Sequence, residues 1–371
     1  MKSNIGITRH YIFGLRCIVG ALAVIAIVTM AIYCHAVNTD NGIGYRSSAA
    51  DRMVAAYVRS TRDSLPDPSL MTHIYYAFGV FTDAKGNITI ENPERFDRIL
   101  ALREKNPDLK IVLSVGGGPR EGFREMASSS KNRRRFAMNC RRLADRYDLA
   151  GIDLDWEFPT TTRGGHTAAD NDMTNYGKVM RELRRQLGSD RQLSFYSNNG
   201  AAYIDYQVML PYVDYVMVSG YNLGRPPKHQ SNLYPSDKCG EWSVSASIER
   251  HIAKGVPTSK ILLGVPFYAL RDGEAPNEID RTRFQRYLPG LTEVWDDEAK
   301  VPYLADSTGN MIASFDNVRS LREKCNFIRK NGLAGVFYWH YDNDDARHSM
   351  ARALNDEFMS SAKNDSVISQ Q

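Results

Sequence analysis

Short, continuously apolar runs recur along the chain, separated by stretches in which apolar and polar residues alternate with helical spacing. The runs cover residues 53–58, 73–81, 110–115, 149–155, 193–197, 213–221, 260–267 and 334–339. Their length and their content of β-branched and aromatic residues predict strands buried on both faces. Residues 93–106, 120–147, 173–187, 245–254 and 317–331 carry the amphipathic pattern of helices. Buried strands alternating with such helices predict right-handed βαβ units and a parallel sheet. Eight units in roughly 300 residues predict the α/β class, as a closed (β/α)8 TIM barrel. An open doubly wound sheet would want a Gly-rich phosphate turn after the first strand, and Val58-Arg59-Ser60-Thr61 offers none. Residues 271–315 mix Pro, Gly and aromatics without a long helix. They predict an insertion between strands seven and eight, a small lobe beside the active face.

The pattern changes at both ends. Residues 17–33 are uncharged and apolar, and Lys2, Arg9 and Arg16 precede them. This is a charged n-region followed by an h-region, longer than the usual roughly 7–15 residues and slightly short of the ~20 that span a bilayer. Cys34 and Ala36 are small residues at −3 and −1 of a cleavage after Ala36. Residues 1–36 are therefore expected to be a signal peptide or an N-terminal membrane anchor with its positive end inside. Either reading places the rest of the chain outside the cytoplasm, with the membrane met only through this segment. Residues 37–51 read as a polar linker, 52–358 as the barrel and 359–371 as a flexible tail.

Composition narrows the classes further. With 43% hydrophobic and 24% charged residues, wholesale disorder and a polytopic membrane protein are excluded. Removing the leader's three cations from the formal +4 leaves +1, so no nucleic-acid partner is implied. Beyond the leader, Cys140, Cys239 and Cys325 form neither a disulfide framework nor a zinc pattern. Cys140 and Cys325 fall in helical segments and are expected to be buried small hydrophobes.

The candidate chemistry sits at the end of the fourth run, Gly151-Ile152-Asp153-Leu154-Asp155-Trp156-Glu157-Phe158-Pro159. Alternation puts Asp153, Asp155 and Glu157 on one face, with Cα atoms about 6.5–7 Å apart at each step of two. Ile152, Leu154 and Trp156 face the helices. Three inward carboxylates are costly to bury charged, and their repulsion is expected to raise at least one pKa. Glu157, the outermost, is best placed to be a protonated general acid. The competing readings are a solvated acidic edge strand and an Asp-x-Asp metal site. The apolar opposite face argues against the first and the lack of a phosphate-binding loop against the second. No metal and no cofactor are expected. Arg133-Arg134-Arg135 reads as a solvated helix face, and Asp342-Asn343-Asp344-Asp345 as a strand exit and helix cap.

The segment GIDLDWEFP resembles the strand-four signature Asp-x-x-Asp-x-Asp-x-Glu of glycoside hydrolase family 18, the chitinases and endo-β-N-acetylglucosaminidases. Asp153, Asp155 and Glu157 match it, while Ala150 stands where the first Asp would be. Four more segments are similar in the right order: Ser114-Val115-Gly116-Gly117, Tyr75-Tyr76-Ala77-Phe78, Gly264-Val265-Pro266-Phe267-Tyr268 and Gly335-Val336-Phe337-Tyr338-Trp339. In the strand-six segment, Ser219 and Asn222 replace the family's Met and Asp.

The resemblance implies retaining, substrate-assisted hydrolysis of β-1,4-linked N-acetylglucosamine. Glu157 would be the acid/base, and Asp155 and Tyr221 would hold the substrate acetamido group. Asp153 would share a proton with Asp155. Tyr57 and Ser114 would hydrogen-bond Asp153. Trp339 would floor the sugar site, with Asn222, Gly116, Gly117 and Phe78 as further substrate-binding positions. Trp242, Trp295 and His166 are weaker candidates. An uncharged Asn222 implies an activity optimum shifted toward acid. The expected partner is an N-acetylglucosamine oligo- or polysaccharide, chitin or an N-glycan core, met in a shallow, non-processive groove by a monomer. A sugar-binding lectin on an inactive barrel is the reading of another class.

Overall fold

In a computed structural model of the protein, residues 52–368 are described, except 119–120, 163–167, 272–277, 281–283 and 285–287. The leader, the linker and His166 lie outside the described residues.

All eight predicted runs are barrel strands. They are β1 (Met53–Arg59), β2 (His73–Phe81), β4 (Lys110–Gly116), β5 (Gly151–Asp155), β6 (Gln192–Ser197), β7 (Tyr215–Ser219), β8 (Ile261–Pro266) and β14 (Gly335–Trp339). They pair in the order β1-β14-β8-β7-β6-β5-β4-β2, and β2 returns to β1. Every one of these pairings is parallel, so the sheet closes as a (β/α)8 barrel. A short strand β3 (Ile88–Ile90), which the apolar pattern does not signal, adds antiparallel to the end of β2.

Alternation along the strands divides the core in two. Val54, Ile74, Ile111, Ile152, Val216, Leu263 and Val336 point outward beneath the helices. Ala55, Tyr57, Tyr75, Val112, Met217, Leu262 and Phe337 fill the barrel interior. The predicted helix over 120–147 is two helices, Phe123–Ser128 and Ser130–Arg146. Ser129 separates them in an extended conformation, and its hydroxyl accepts from the Asn132 amide, capping the second. That second helix buries Phe136, Ala137, Cys140 and Ala144 on one stripe. Truncating Phe136 to Ala there should destabilise the barrel by about 3–5 kcal/mol. Cys140, Cys239 and Cys325 are all buried free thiols.

The insertion is a five-stranded antiparallel sheet that starts earlier than the sequence suggested, at Tyr268, one residue after β8 is left. Its strands are β9 (Tyr268–Arg271), β10 (Glu278–Asp280), β11 (Thr292–Asp296), β12 (Val301–Ala305) and β13 (Met311–Ser314), in the order β10-β9-β13-β12-β11. A satellite core of Ala269, Leu288, Leu304, Ala313 and Phe315 supports it.

After β14, the carboxylate of Asp344 accepts from the amides of Met350 and Ala351, and that of Asp345 accepts from Ser349. These acids cap the helix Ser349–Ile368, as the strand-exit reading expected. The helix runs on through most of the segment expected to be a flexible tail. Among the described residues, no helix is long and apolar enough to cross a membrane.

Candidate active site

At the C-terminal ends of the barrel strands lies a cavity of about 340 Å³. Tyr57, Arg59, Phe78, Gly117, Gly118, Asp155, Glu157, Tyr196, Tyr221, Asn222, Tyr268 and Trp339 line it. This is the face on which barrel strands present their last inward residues.

The three carboxylates of the fourth barrel strand sit at graded depth. Asp153 is 0% exposed and lies beneath the cavity. Three hydroxyls donate to it: Tyr57 at 2.9 Å and Ser114 at 2.8 Å to Oδ2, and Ser194 at 2.6 Å to Oδ1. Burial raises the Asp153 pKa, and these three hydrogen bonds act in the opposite sense. Repulsion among the acids, expected from their spacing, is not the leading cause of the shift; desolvation is. Tyr57 and Ser114, both expected to hydrogen-bond Asp153, are two of these three donors. Ser194 was not singled out, although register places it directly beside Asp153.

Asp155, 5% exposed, ends β5 and faces the cavity. Glu157 follows the strand, half-buried, and its Oε1 accepts the Gly118 amide at 2.8 Å. The residue between them explains why Glu157 keeps the inward direction. Trp156 turns outward, stacks on Phe123 at 5.3 Å and meets Tyr176 edge-on at 5.2 Å. Rotating Glu157 away would pull Trp156 from that core.

The end of β4 holds two glycines with different duties. Gly116 has φ +119°, and a Cβ there would lie 2.4 Å from the Asp155 carbonyl oxygen. It permits the close approach of β4 to β5 and is not among the residues that line the cavity. Gly117 has φ +81° and does line it; a Cβ there would meet Phe78 Cζ at 2.1 Å. Phe78 stacks on Trp339, with centroids 6.1 Å apart, and Tyr57 is 5.5 Å from the same indole. Together they form an apolar wall. The peptide bonds Ala77-Phe78, at the irregularity within β2, and Glu157-Phe158 and Trp339-His340, just past the ends of β5 and β14, are cis.

Across the cavity, Tyr221 is 7% exposed. Burial raises its pKa well above 10, and the neighbouring Tyr196, Tyr268, Asp155 and Glu157 add to the effect. Its hydroxyl therefore stays protonated and can donate. Asn222 is exposed, and its Oδ1 accepts from the Tyr268 hydroxyl at 2.9 Å. Tyr196 stacks on Phe158 at 5.8 Å, and burial followed by the Glu157 charge raises its pKa.

Sequence reasoning missed Ser194, Tyr196, Arg59, Gly118 and Tyr268 as residues of this site. For three of them a signal existed. Ser194 and Tyr196 share the inward parity of β6, and Arg59 shares that of Tyr57 on β1. The weaker tryptophan candidates fall elsewhere. Arg250 covers Trp242 at 3.7 Å, and Arg319 covers Trp295 at 3.8 Å, while Trp295 Nε1 donates to Asp297. Among the described residues, no group of His, Cys, Asp and Glu is arranged to hold a metal ion.

Residues 46–344 match the model of the glycosyl hydrolases family 18. The chain is 27% identical to chitotriosidase-1 of Mus musculus, over 76% of this chain and 69% of that protein. It is 26% identical to chitinase A1 of Niallia circulans, over 66% of this chain and 42% of that longer protein. A solved family 18 N-acetylglucosaminidase from Paenibacillus barengoltzii superposes with a TM-score of 0.74 at 29% identity. That superposition covers 83% of this chain and 100% of the other.

Proposed function

We propose that the chain, which belongs to glycosyl hydrolases family 18, hydrolyses β-1,4-linked N-acetylglucosamine with retention, using the substrate's own acetamido group as nucleophile. The observation that carries this reading is convergence: Glu157, Asp155, Tyr221 and Trp339 line one cavity.

In the proposed reaction, Glu157 gives its proton to the glycosidic oxygen as the bond to C1 breaks. The acetamido oxygen closes on C1 and forms an oxazolinium ion. Asp155 accepts from the acetamido N–H and balances the positive charge, and Tyr221 donates to the acetamido oxygen. Glu157, now ionised, takes a proton from the water that opens the oxazolinium at C1. Two inversions give net retention, an exception to the scheme in which an enzyme carboxylate attacks the sugar. Asp153 serves from below: its burial, which raises its pKa, suits it to share a proton with Asp155, and three hydroxyl donors hold it in place. The Phe78–Trp339 wall offers an apolar face to a pyranose ring. The leader supports an extracytoplasmic setting for the enzyme.

The test compares the full chain with Glu157→Gln on N-acetylglucosamine oligomers and on a high-mannose glycopeptide, with products read by mass spectrometry. Cleavage of the oligomers that disappears in the variant is the expected result. Release of the glycan, leaving one N-acetylglucosamine on the peptide, would move the substrate to N-glycan cores. Binding without cleavage of either would make the protein a lectin.

A further inference from the structure

The mechanism leaves one cation of the cavity unused. Alternation along β1 puts Arg59 on the same inner face as Tyr57. It is half-buried and lines the cavity at the end of the strand. The backbone here is fixed: the Arg59 carbonyl accepts from Nε of the buried Arg95 at 2.8 Å, and Arg59 pairs in register with Ala77, beside Phe78. Among the described residues, its guanidinium has neither a carboxylate within 4.0 Å nor a hydrogen-bond acceptor.

The placement separates charge across the site. Asp155 and Glu157 belong to β5 and its exit, and the order β5-β4-β2-β1 puts Arg59 three strands away. Arg59 and Arg62 both act on the buried His340, adding to the lowering of its pKa by burial. Their charge therefore lies on the Trp339–His340 side of the cavity. A chain of N-acetylglucosamine is neutral and offers this guanidinium only hydroxyls and amides. A planar guanidinium is matched far better by a carboxylate or sulfate, which it can bind through two parallel hydrogen bonds.

We propose that Arg59 is a specificity-determining residue that receives an anionic substituent, a carboxylate or a sulfate, carried by a β-1,4-linked N-acetylhexosamine chain. The preferred substrate is then an acidic glycan and not plain chitin. This rests on the hydrolase reading, with Glu157 as acid/base.

The test uses the full chain as wild type, Arg59→Met, Arg59→Lys and Arg62→Met. Three tetrasaccharides of equal length serve as substrates: neutral, bearing 3-O-lactyl carboxylates on alternate rings, and 6-O-sulfated. Wild type should show a kcat/KM about tenfold or more higher on one acidic tetrasaccharide than on the neutral one. The favoured arm identifies carboxylate or sulfate. Arg59→Met should lose about 10- to 100-fold on that substrate and less than about threefold on the neutral one. Arg59→Lys should fall between, because it keeps the charge and loses the fork. Arg62→Met, outside the cavity lining, should change either by less than about twofold. A wild type that prefers the neutral substrate, or an Arg59→Met loss equal on all three, would overturn the proposal. If wild type cleaves none of them, the hydrolase reading fails. Calorimetric binding of the same tetrasaccharides to wild type and Arg59→Met then decides, and equal affinities overturn the proposal.

Discussion

Asp153 and Glu157 stand four residues apart along one face of one strand and its exit, yet they live in different media. Asp153 is sealed below the cavity and receives three hydroxyl donors. Glu157 is half-buried at the rim, accepts the Gly118 amide and borders the space a substrate would fill. In the proposed reaction, the same functional group serves two tasks. The deep carboxyl is held still and shifted by burial, so it can exchange a proton with a neighbour. The rim carboxyl is aimed but left accessible, so it can exchange a proton with substrate and water. In that proposal depth, and not residue type, separates the two roles.

This contrast orders the variants by expected effect. Glu157→Gln should reduce kcat by about 10³-fold or more while KM changes little, because only transition-state proton transfer is lost. Retention of more than a tenth of the activity would place the acid elsewhere. Tyr221→Phe should lower kcat by about 10²-fold, the usual cost of removing one preorganised donor from developing charge. A loss confined to KM would reduce Tyr221 to a ground-state contact.

Asp153→Asn should lower kcat by about tenfold and also expose a pH effect on stability. In the folded protein the Asp153 pKa is raised by burial. Its ionised form is therefore a destabilising term at neutral pH, and that term is relieved as pH falls through the folded value toward the ordinary 3.8. The melting temperature of wild type minus that of Asp153→Asn should rise over this interval. A difference that stays flat would show that Asp153 does not titrate in the fold. Asn222→Asp should have the smallest effect. An added negative charge on the cavity wall should move the basic limb of the pH–rate profile upward by about half a unit. A limb that does not move would remove Asn222 from the electrostatics of the site.

The eight barrel strands were legible because burial on both faces writes them as continuous apolar runs. The lobe was not. Strands β9 to β13 are three to five residues long. Thr292–Asp296, which reads TEVWD, is half polar and partly exposed along its length. Such antiparallel strands lack the apolar signature on which the reading depended. Within the site, parity told direction but not depth. Tyr57 and Arg59 share an inner face and both line the cavity, yet only the Tyr57 hydroxyl reaches down to the buried Asp153. Ser194 needed the register between β5 and β6, which no single strand pattern contains. The break at Ser129 was hidden because the residues on either side carry helical spacing, and only its extended backbone and capping bond reveal it.

The proposed hydrolysis turns on retention: Glu157 protonates the leaving oxygen while a first nucleophile, in this reading the substrate's acetamido group, displaces it, and water does not attack C1 directly. Proton NMR of wild type acting on an N-acetylglucosamine tetramer tests it by the anomer released in the first turnovers. Retention gives the β-anomer at the new reducing end, followed by slow mutarotation toward the α form. An α-anomer formed first would mean inversion by direct attack of water, and would contradict acetamido participation.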